Sequence, residues 1–182
     1  RIFVRSKAEA KFAASYLKRA ACDLKRVQFV VHPTNRGWTR DSGPIHVRRG
    51  KGSKAELAIV HFHFNAWAKY DNCRNDDKIP SRVGKAFPWP SWQPTYQQRR
   101  VVLEGGSIDV NGKGLLLTTE ECLLSDIQAR NPGLTKSDYA QIFADYLGVK
   151  KILWLNRGIM GDDTHGHVDD LARFVNENTI VT

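Results

Sequence analysis

The sequence predicts an α/β fold of repeated units set around a centre. Three observations carry that prediction. Short apolar strands alternate with helical patterns in the order strand, strand, helix, strand, repeated along the chain. Asp41, Glu104 and His167 fall at equal intervals of 63 residues, each in a loop after or beside an apolar strand. Repeated units around an axis place polar groups in that way. Nothing between these positions marks a boundary: there is no low-complexity segment, so residues 1–182 read as one domain.

The totals agree. A chain of 182 residues can bury one core, and 41% hydrophobic with 26% charged residues is ordinary for a globular domain. That composition excludes the disordered and fibrous classes. No apolar run approaches the length of a membrane span. The chain opens on Arg1 with IFVR, which reads like the interior of a fold, so the expectation is a piece of a longer protein.

Each element follows from its residues. Ser6 with Glu9 makes a capping box, and Phe12, Tyr16, Leu17 and Ala20 mark the core face of a helix to about Ala21. Lys11, Lys18 and Arg19 lie on its other face. Val27 to Val31 is a short strand ended by His32 and Pro33, followed by the loop PTNRGWTRDSG. Ile45 to Val47 and Leu57 to Phe64 are strands either side of a flexible tip, RRGKGSK. In the second strand His61 and His63 share one face, either as a metal pair or, more commonly, as two wet histidines.

Asn65 to Pro80 is a polar loop with aromatic residues, and a short helix follows from Ser81 to Phe87. PWPSWQP reads as an irregular surface connection. Arg100 to Leu103 is a buried strand running into Glu104-Gly105-Gly106-Ser107, and IDV-NGKG-LLLTT is a hairpin signalled by Asn111-Gly112. Thr135 to Leu147 is an amphipathic helix with Leu134, Ile142, Phe143 and Leu147 as core candidates and Gly148 as its stop. Ile152 to Leu155 is the last strand before the richest motif, GDDTHGHVDDLARFV.

The net charge of +9 is uneven, with +11 on residues 1–54 and −2 on the rest. A basic first third can meet an anionic partner or nucleic acid. The carboxylates, however, gather at the motifs, which suits a cationic ligand better than a phosphate, so nucleic acid is the weaker expectation. Cys22, Cys73 and Cys122 are far apart with no CxxC. That disfavours a disulfide framework or structural zinc and fits a reducing cytoplasm. Cys22 and Cys122 read as buried and inert, and Cys73 as exposed in a polar loop.

GDDTHGHVDDLARFV sets His165, His167, Asp162, Asp163, Asp169 and Asp170 beside a plain apolar segment. Unpartnered charge beside a core is costly, so the cluster points to a functional site. Asp41 in TRDSGP and Asp169 in HVDD can each take a two-point hydrogen bond from a guanidinium. On a strand His167 and Asp169 would share a face about 7 Å apart. Glu104 would hold the imidazole and favour its charged form. Gly105 and Gly106 let the backbone turn sharply or approach a ligand. A metal-dependent hydrolase using His165, His167 and the aspartates, and a non-catalytic structural or nucleic-acid-binding module, both stay open on the residues alone.

Five motifs narrow the choice: WTRDSGP, FNAWAKYDN, VLEGGSIDVNGKG, LLTTEECLLS and GDDTHGHVDDLARFV. In this order they resemble the agmatine deiminases, within the wider family that includes the bacterial-type peptidylarginine deiminases. The resemblance implies part of a five-bladed α/β propeller of the guanidine-modifying (pentein) superfamily, with roughly three of five blades present. It implies that His167 is the general acid and base, that Glu104 supports it, and that Asp41 and Asp169 bind the substrate guanidinium beside a wall made by Trp38. The implied reaction converts agmatine to N-carbamoylputrescine and ammonia, a step of polyamine and putrescine biosynthesis, through a cysteine thiouronium intermediate, with peptidyl-arginine left open as the alternative substrate. It implies no metal and no cofactor. The family's nucleophilic cysteine lies far C-terminal in a GGGNIHC-type segment with no counterpart here, so these 182 residues alone are expected to be inactive. The implied partners are a small guanidinium molecule, the rest of the propeller and, as an open matter, a second copy. Cys73 also stands where the resemblance leads one to expect an aromatic residue.

Overall fold

The structure, a computed structural model, describes residues 1–182. Its strands are β1 (Ile2–Val4), β2 (Phe29–Val31), β3 (Ile45–Arg49), β4 (Glu56–Val60), β5 (Ser91–Trp92), β6 (Thr95–Tyr96), β7 (Arg99–Arg100), β8 (Asp109–Val110), β9 (Leu115–Thr119), β10 (Lys151–Leu155), β11 (Arg173–Phe174) and β12 (Ile180–Val181). Its helices are α1 (Lys7–Arg19), α2 (Thr39–Ser42), α3 (Ile79–Gly84), α4 (Glu120–Leu124) and α5 (Lys136–Leu147). The strands form five separate small sheets, ordered β1-β2, β3-β4-β5, β6-β7, β10-β9-β8 and β11-β12, so no sheet closes on itself. No helix is long and apolar enough to cross a membrane.

The main core lies between β4, the extended run Val101–Leu103, β9 and α5. Phe62, Leu103, Leu116, Tyr139, Ile142 and Phe143 are among its buried members. Helix α5 forms there because both ends are capped. Thr135 and Asp138 make a capping box, and Gly148 closes the helix at φ 68°. The expected hairpin forms as β8–β9, with Asp109 opposite Leu117, and β10 then adds to β9 in parallel over five residues.

Several expectations need correction. In α1, Ser6 does accept from the Glu9 amide, but the Glu9 carboxylate accepts from the Arg5 amide rather than from Ser6, so the box is not reciprocal. Phe12 is 62% and Tyr16 52% exposed; of the expected core face only Leu17 is half-buried, and no residue of α1 is fully buried. Cys22, just past the helix, is exposed rather than buried. PWPSWQP is not wholly irregular: Ser91 and Trp92 pair in parallel with Ile59 and Val60. The short helix starts at Ile79 rather than Ser81, with Pro80 in its first turn.

His61 and His63 do share a face, but only His63 is partly wet; His61 is buried. His61 donates from Nε2 to the Asp77 carbonyl (2.8 Å), while His63 Nδ1 lies 3.0 Å from Asp77 Oδ1. The Phe64 amide donates to that same carboxylate oxygen. Burial alone would raise the Asp77 pKa, but the two histidines and this amide hold it well below the usual carboxylate range. The pair is a structural pin under β4.

The three equally spaced residues occupy related places. Asp41 lies in α2, while Glu104 immediately precedes a 3₁₀ turn at Gly105–Ser107 and His167 one at Val168–Asp170. These single turns pack in a row, the middle one touching both others. LARFV contributes only Arg173–Phe174 as strand, and His167 and Asp169 sit on the preceding turn instead of a strand.

Candidate active site

Asp41 enters the site from one turn of helix. The Trp38 carbonyl accepts from the Ser42 amide and hydroxyl, which closes the turn and carries the aspartate inward. Its Oδ2 accepts from the indole N–H of Trp67 at 3.2 Å, and its Oδ1 from the Gly106 amide at 3.2 Å. Burial pushes the Asp41 carboxyl up to about 6; nearby His167 pulls against this, and the carboxylates of Glu104 and Asp169 add to it.

Glu104 has no exposed surface at all. The Arg130 Nε lies 3.1 Å from its Oε1 and 3.3 Å from its Oε2. Burial works to raise the Glu104 pKa, but His167 and the Arg130 guanidinium outweigh it, so the carboxylate is held below the ordinary glutamate value.

His167 reaches the same point from the other end of the chain. Asp162 organises its approach: this carboxylate accepts from the backbone amides of Thr164, Gly166 and His167, at 2.8, 3.0 and 2.9 Å. The imidazole is buried, with Nδ1 at 3.7 Å from Asp41 Oδ1 and 3.9 Å from Asp169 Oδ1. On the other side Nε2 is 3.7 Å from Glu104 Oε2, and it has no hydrogen-bond partner. Burial disfavours the imidazolium, yet the Glu104 and Asp41 carboxylates prevail and hold its pKa above the ordinary histidine value. Asp169, half-buried, has its own pKa raised, first by burial.

These groups open on a cleft of about 530 Å³. Asp41, His167 and Asp169 line its inner end, with Trp67, Tyr70 and Arg36 along the wall. Trp38 is 65% exposed on the lip of the same cleft. The structure therefore brings together all five residues singled out from the sequence: Trp38, Asp41 and Asp169 on the cleft, His167 facing it, and Glu104 sealed behind the imidazole. Two acceptors, a basic ring between them and an aromatic lip can receive a planar cation and move a proton next to it.

The family model described as Porphyromonas-type peptidyl-arginine deiminase matches residues 1–182. The chain belongs to that family. Among curated relatives, the agmatine deiminase of Pseudomonas syringae pv. tomato is 39% identical over 164 residues, covering 90% of this chain and 43% of the relative. The agmatine deiminase of Pseudomonas syringae pv. syringae is 38% identical over the same shares. The chain thus spans about 43% of the length of these relatives. Among solved structures, a Cys-to-Ser variant of the C. jejuni agmatine deiminase with substrate bound superposes with a TM-score of 0.76 at 33% identity. That match covers 98% of this chain and 48% of the other. The agmatine deiminase of Enterococcus faecalis gives 0.75 at 34% identity, over 89% of this chain and 43% of that one. The α/β fold of this family member is that of the agmatine deiminase structures.

Within this family member two buried groups at the site were not legible in the sequence. Arg130 stands alone in a polar stretch with no periodic signal. Trp67 is visible as an aromatic in a polar loop, but its role depends on a backbone that composition does not announce. Ala66, Trp67 and Ala68 take φ of 53°, 60° and 52°, three consecutive left-handed residues without a glycine. The side chain of Asn65, accepting from the Ala68 amide, helps hold that turn.

His165, Asp163 and Asp170 have lesser places. His165 Nε2 meets Ser125 Oγ at 3.2 Å, Asp163 pairs with Lys69 and Tyr70 near the rim, and Asp170 is exposed. Cys122 is buried, and its Sγ, a Glu104 oxygen and a His167 nitrogen lie within 4.8 Å of one another. Those are donors a zinc-type ion can use, but the Arg130 guanidinium already supplies the counter-charge to Glu104, and burial strongly raises the Cys122 thiol pKa. Cys73 is partly buried against Phe64 and Trp67 rather than free in its loop.

Proposed function

We propose that this chain carries the guanidinium-binding and proton-transfer half of an agmatine deiminase. The observation that carries the reading is the pair of carboxylates, Asp41 and Asp169, on either side of His167 Nδ1 in one cleft. Each offers two oxygens to the N–H groups of a guanidinium, and Trp38 covers the ring of charge from the lip. Membership of the family and likeness to agmatine deiminases support the substrate class.

In the proposed reaction a cysteine thiolate adds to the guanidinium carbon. His167, as imidazolium, gives its proton to the departing nitrogen, and ammonia leaves a thiouronium ester. The neutral imidazole then takes a proton from water as the water oxygen attacks; the thiolate departs as the carbonyl forms, and the remaining hydroxyl proton passes to the released ammonia, leaving ammonium and the ureido product, N-carbamoylputrescine. Glu104 keeps the ring charged in the first half. Cys22 is remote and exposed, Cys73 packs on Trp67, and Cys122 sits behind the imidazole with its thiol held protonated. None suits the nucleophile, which in this reading comes from chain beyond these residues. In the same reading residues 1–182 form one domain, about three blades of a five-bladed propeller.

The test is ammonia release from agmatine and from peptidyl-arginine by the full-length protein, with His167→Ala and Asp169→Ala beside it. Loss of turnover by at least about 100-fold in both variants is expected. A folded full-length protein inert towards both substrates sinks the reading. The 182 residues alone should give no turnover, and a steady rate from them would assign the nucleophile to one of the three cysteines.

A further inference from the structure

We propose that Arg130 is the positioning residue of this site, a single buried guanidinium that fixes Glu104 behind His167 and ties both to the supports of Asp41. All three of its side-chain nitrogens are used. Nε bridges both Glu104 oxygens, Nη1 donates to the Gln128 carbonyl at 3.0 Å, and Nη2 donates to the Thr164 carbonyl. Thr164 belongs to the turn, organised by Asp162, that delivers His167. Gln128 in turn donates from Nε2 to the Trp67 carbonyl at 3.1 Å, and Trp67 is the donor to Asp41. The short segment Gln128–Arg130 therefore touches the supports of Asp41, Glu104 and His167 at once. Gln128 itself is held at φ 48°, a left-handed conformation that a non-glycine residue rarely keeps without such contacts.

The chemistry explains why the group is an arginine. The site buries a carboxylate completely, and such a group takes up a proton unless a fixed cation or donors oppose it. A planar fork can meet the carboxylate and two carbonyls in three directions, whereas a lysine offers one point charge. Arg130 is 3% exposed, so solvent does not supply a substitute. The titratable groups facing Glu104 are Arg130, His167, Cys122, Asp41 and Tyr139. Of these only Arg130 is a permanent cation. His167 can be charged, but it must give that proton up if it serves as acid and base.

The experiment is a carbon-13 NMR titration of the Glu104 carboxyl in the full-length protein, with Arg130→Met and Arg130→Lys beside the parent and folding checked by amide fingerprints. It needs no turnover, so it stands or falls separately from the deiminase reading. In the parent Glu104 should stay ionised to below the ordinary glutamate range. In Arg130→Met its midpoint should rise by at least about one pH unit, a tenfold change in the protonation ratio. Arg130→Lys should raise it by less, because the charge remains and the fork is lost. If the deiminase reading holds, the acid limb of the agmatine pH profile should climb in the same order. An unchanged midpoint in folded Arg130→Met overturns the proposal, and if that variant does not fold, an unchanged midpoint in Arg130→Lys does so.

Discussion

A side chain on Gly106 would collide with the ring of His167: a Cβ there stands 2.5 Å from Nδ1 and 2.9 Å from Cε1. The same carbon would be 2.6 Å from Asp41 Oδ1. Gly106 has an ordinary φ, so what the site needs from it is closeness rather than an unusual backbone angle. Gly106→Ala should lower stability by about 1–3 kcal/mol, as overpacking does, and abolish measurable agmatine binding. Gly37→Ala, with nothing within 4 Å of its Cβ, should change stability by less than about 0.5 kcal/mol. Thermal melts and calorimetric titration separate the two.

The pH dependence of stability follows from Asp41. Its folded pKa of about 6 lies above the 3.8 of an unstructured aspartate, so the folded state holds a proton that the unfolded state has lost. The stability contributed by Asp41 should therefore fall as pH rises from about 4 to about 6, by at most about 3 kcal/mol. The raised His167 pKa adds a loss of the same sign at higher pH, because its imidazolium is stabilised by folding. Asp41→Asn should flatten the first part of the slope in urea melts across this range. Affinity for a guanidinium should run the other way, increasing with pH until Asp41 is ionised.

Trp67→Phe tests the indole N–H separately from the bulk of the ring. Phenylalanine keeps most of the apolar packing against Phe64 but leaves Asp41 Oδ2 without its donor. A stability loss of about 1 kcal/mol is expected, with agmatine binding weakened about tenfold. Equal binding in the variant would show that Asp41 is held well enough by Gly106.

Asp162 and Asp163 are neighbours with opposite fates. Asp162 accepts three backbone amides and folds the turn before His167, whereas Asp163 makes an exposed pair with Lys69. Asp162→Ala should cost about 2 kcal/mol or more and lower turnover with it. Asp163→Ala should stay within about 1 kcal/mol, the usual range for a surface ion pair. Denaturation curves of the two variants decide this.

What the sequence made legible was local pattern and crowding. Helix α5 and the β8–β9 hairpin were readable because their caps, periodicity and Asn-Gly turn lie within a few residues of each other. Asp41, Glu104 and His167 were readable because charge stood at the edge of apolar runs. Phe12 and Tyr16 show the limit of periodicity, which names a helix face without saying what covers it. Arg130 was hidden for a related reason: its burial is decided by Glu104, 26 residues away, and nothing around it in sequence is unusual. The strand expected at His167 and Asp169 failed because Asp162 takes the His167 amide and the chain then closes a 3₁₀ turn at Val168–Asp170.

The facing carboxylates Asp41 and Asp169 have a practical consequence at the bench. Guanidinium chloride, chosen to unfold proteins, presents the very cation this cleft is proposed to hold. At low concentration it should act as a ligand and raise the melting temperature, because anything that binds only the folded state stabilises it. At high concentration its general solvation of the unfolded chain takes over. A curve with an initial rise gives a misleading linear extrapolation, so stabilities of this protein belong to urea, and the difference between the two denaturants becomes a direct assay of the cleft.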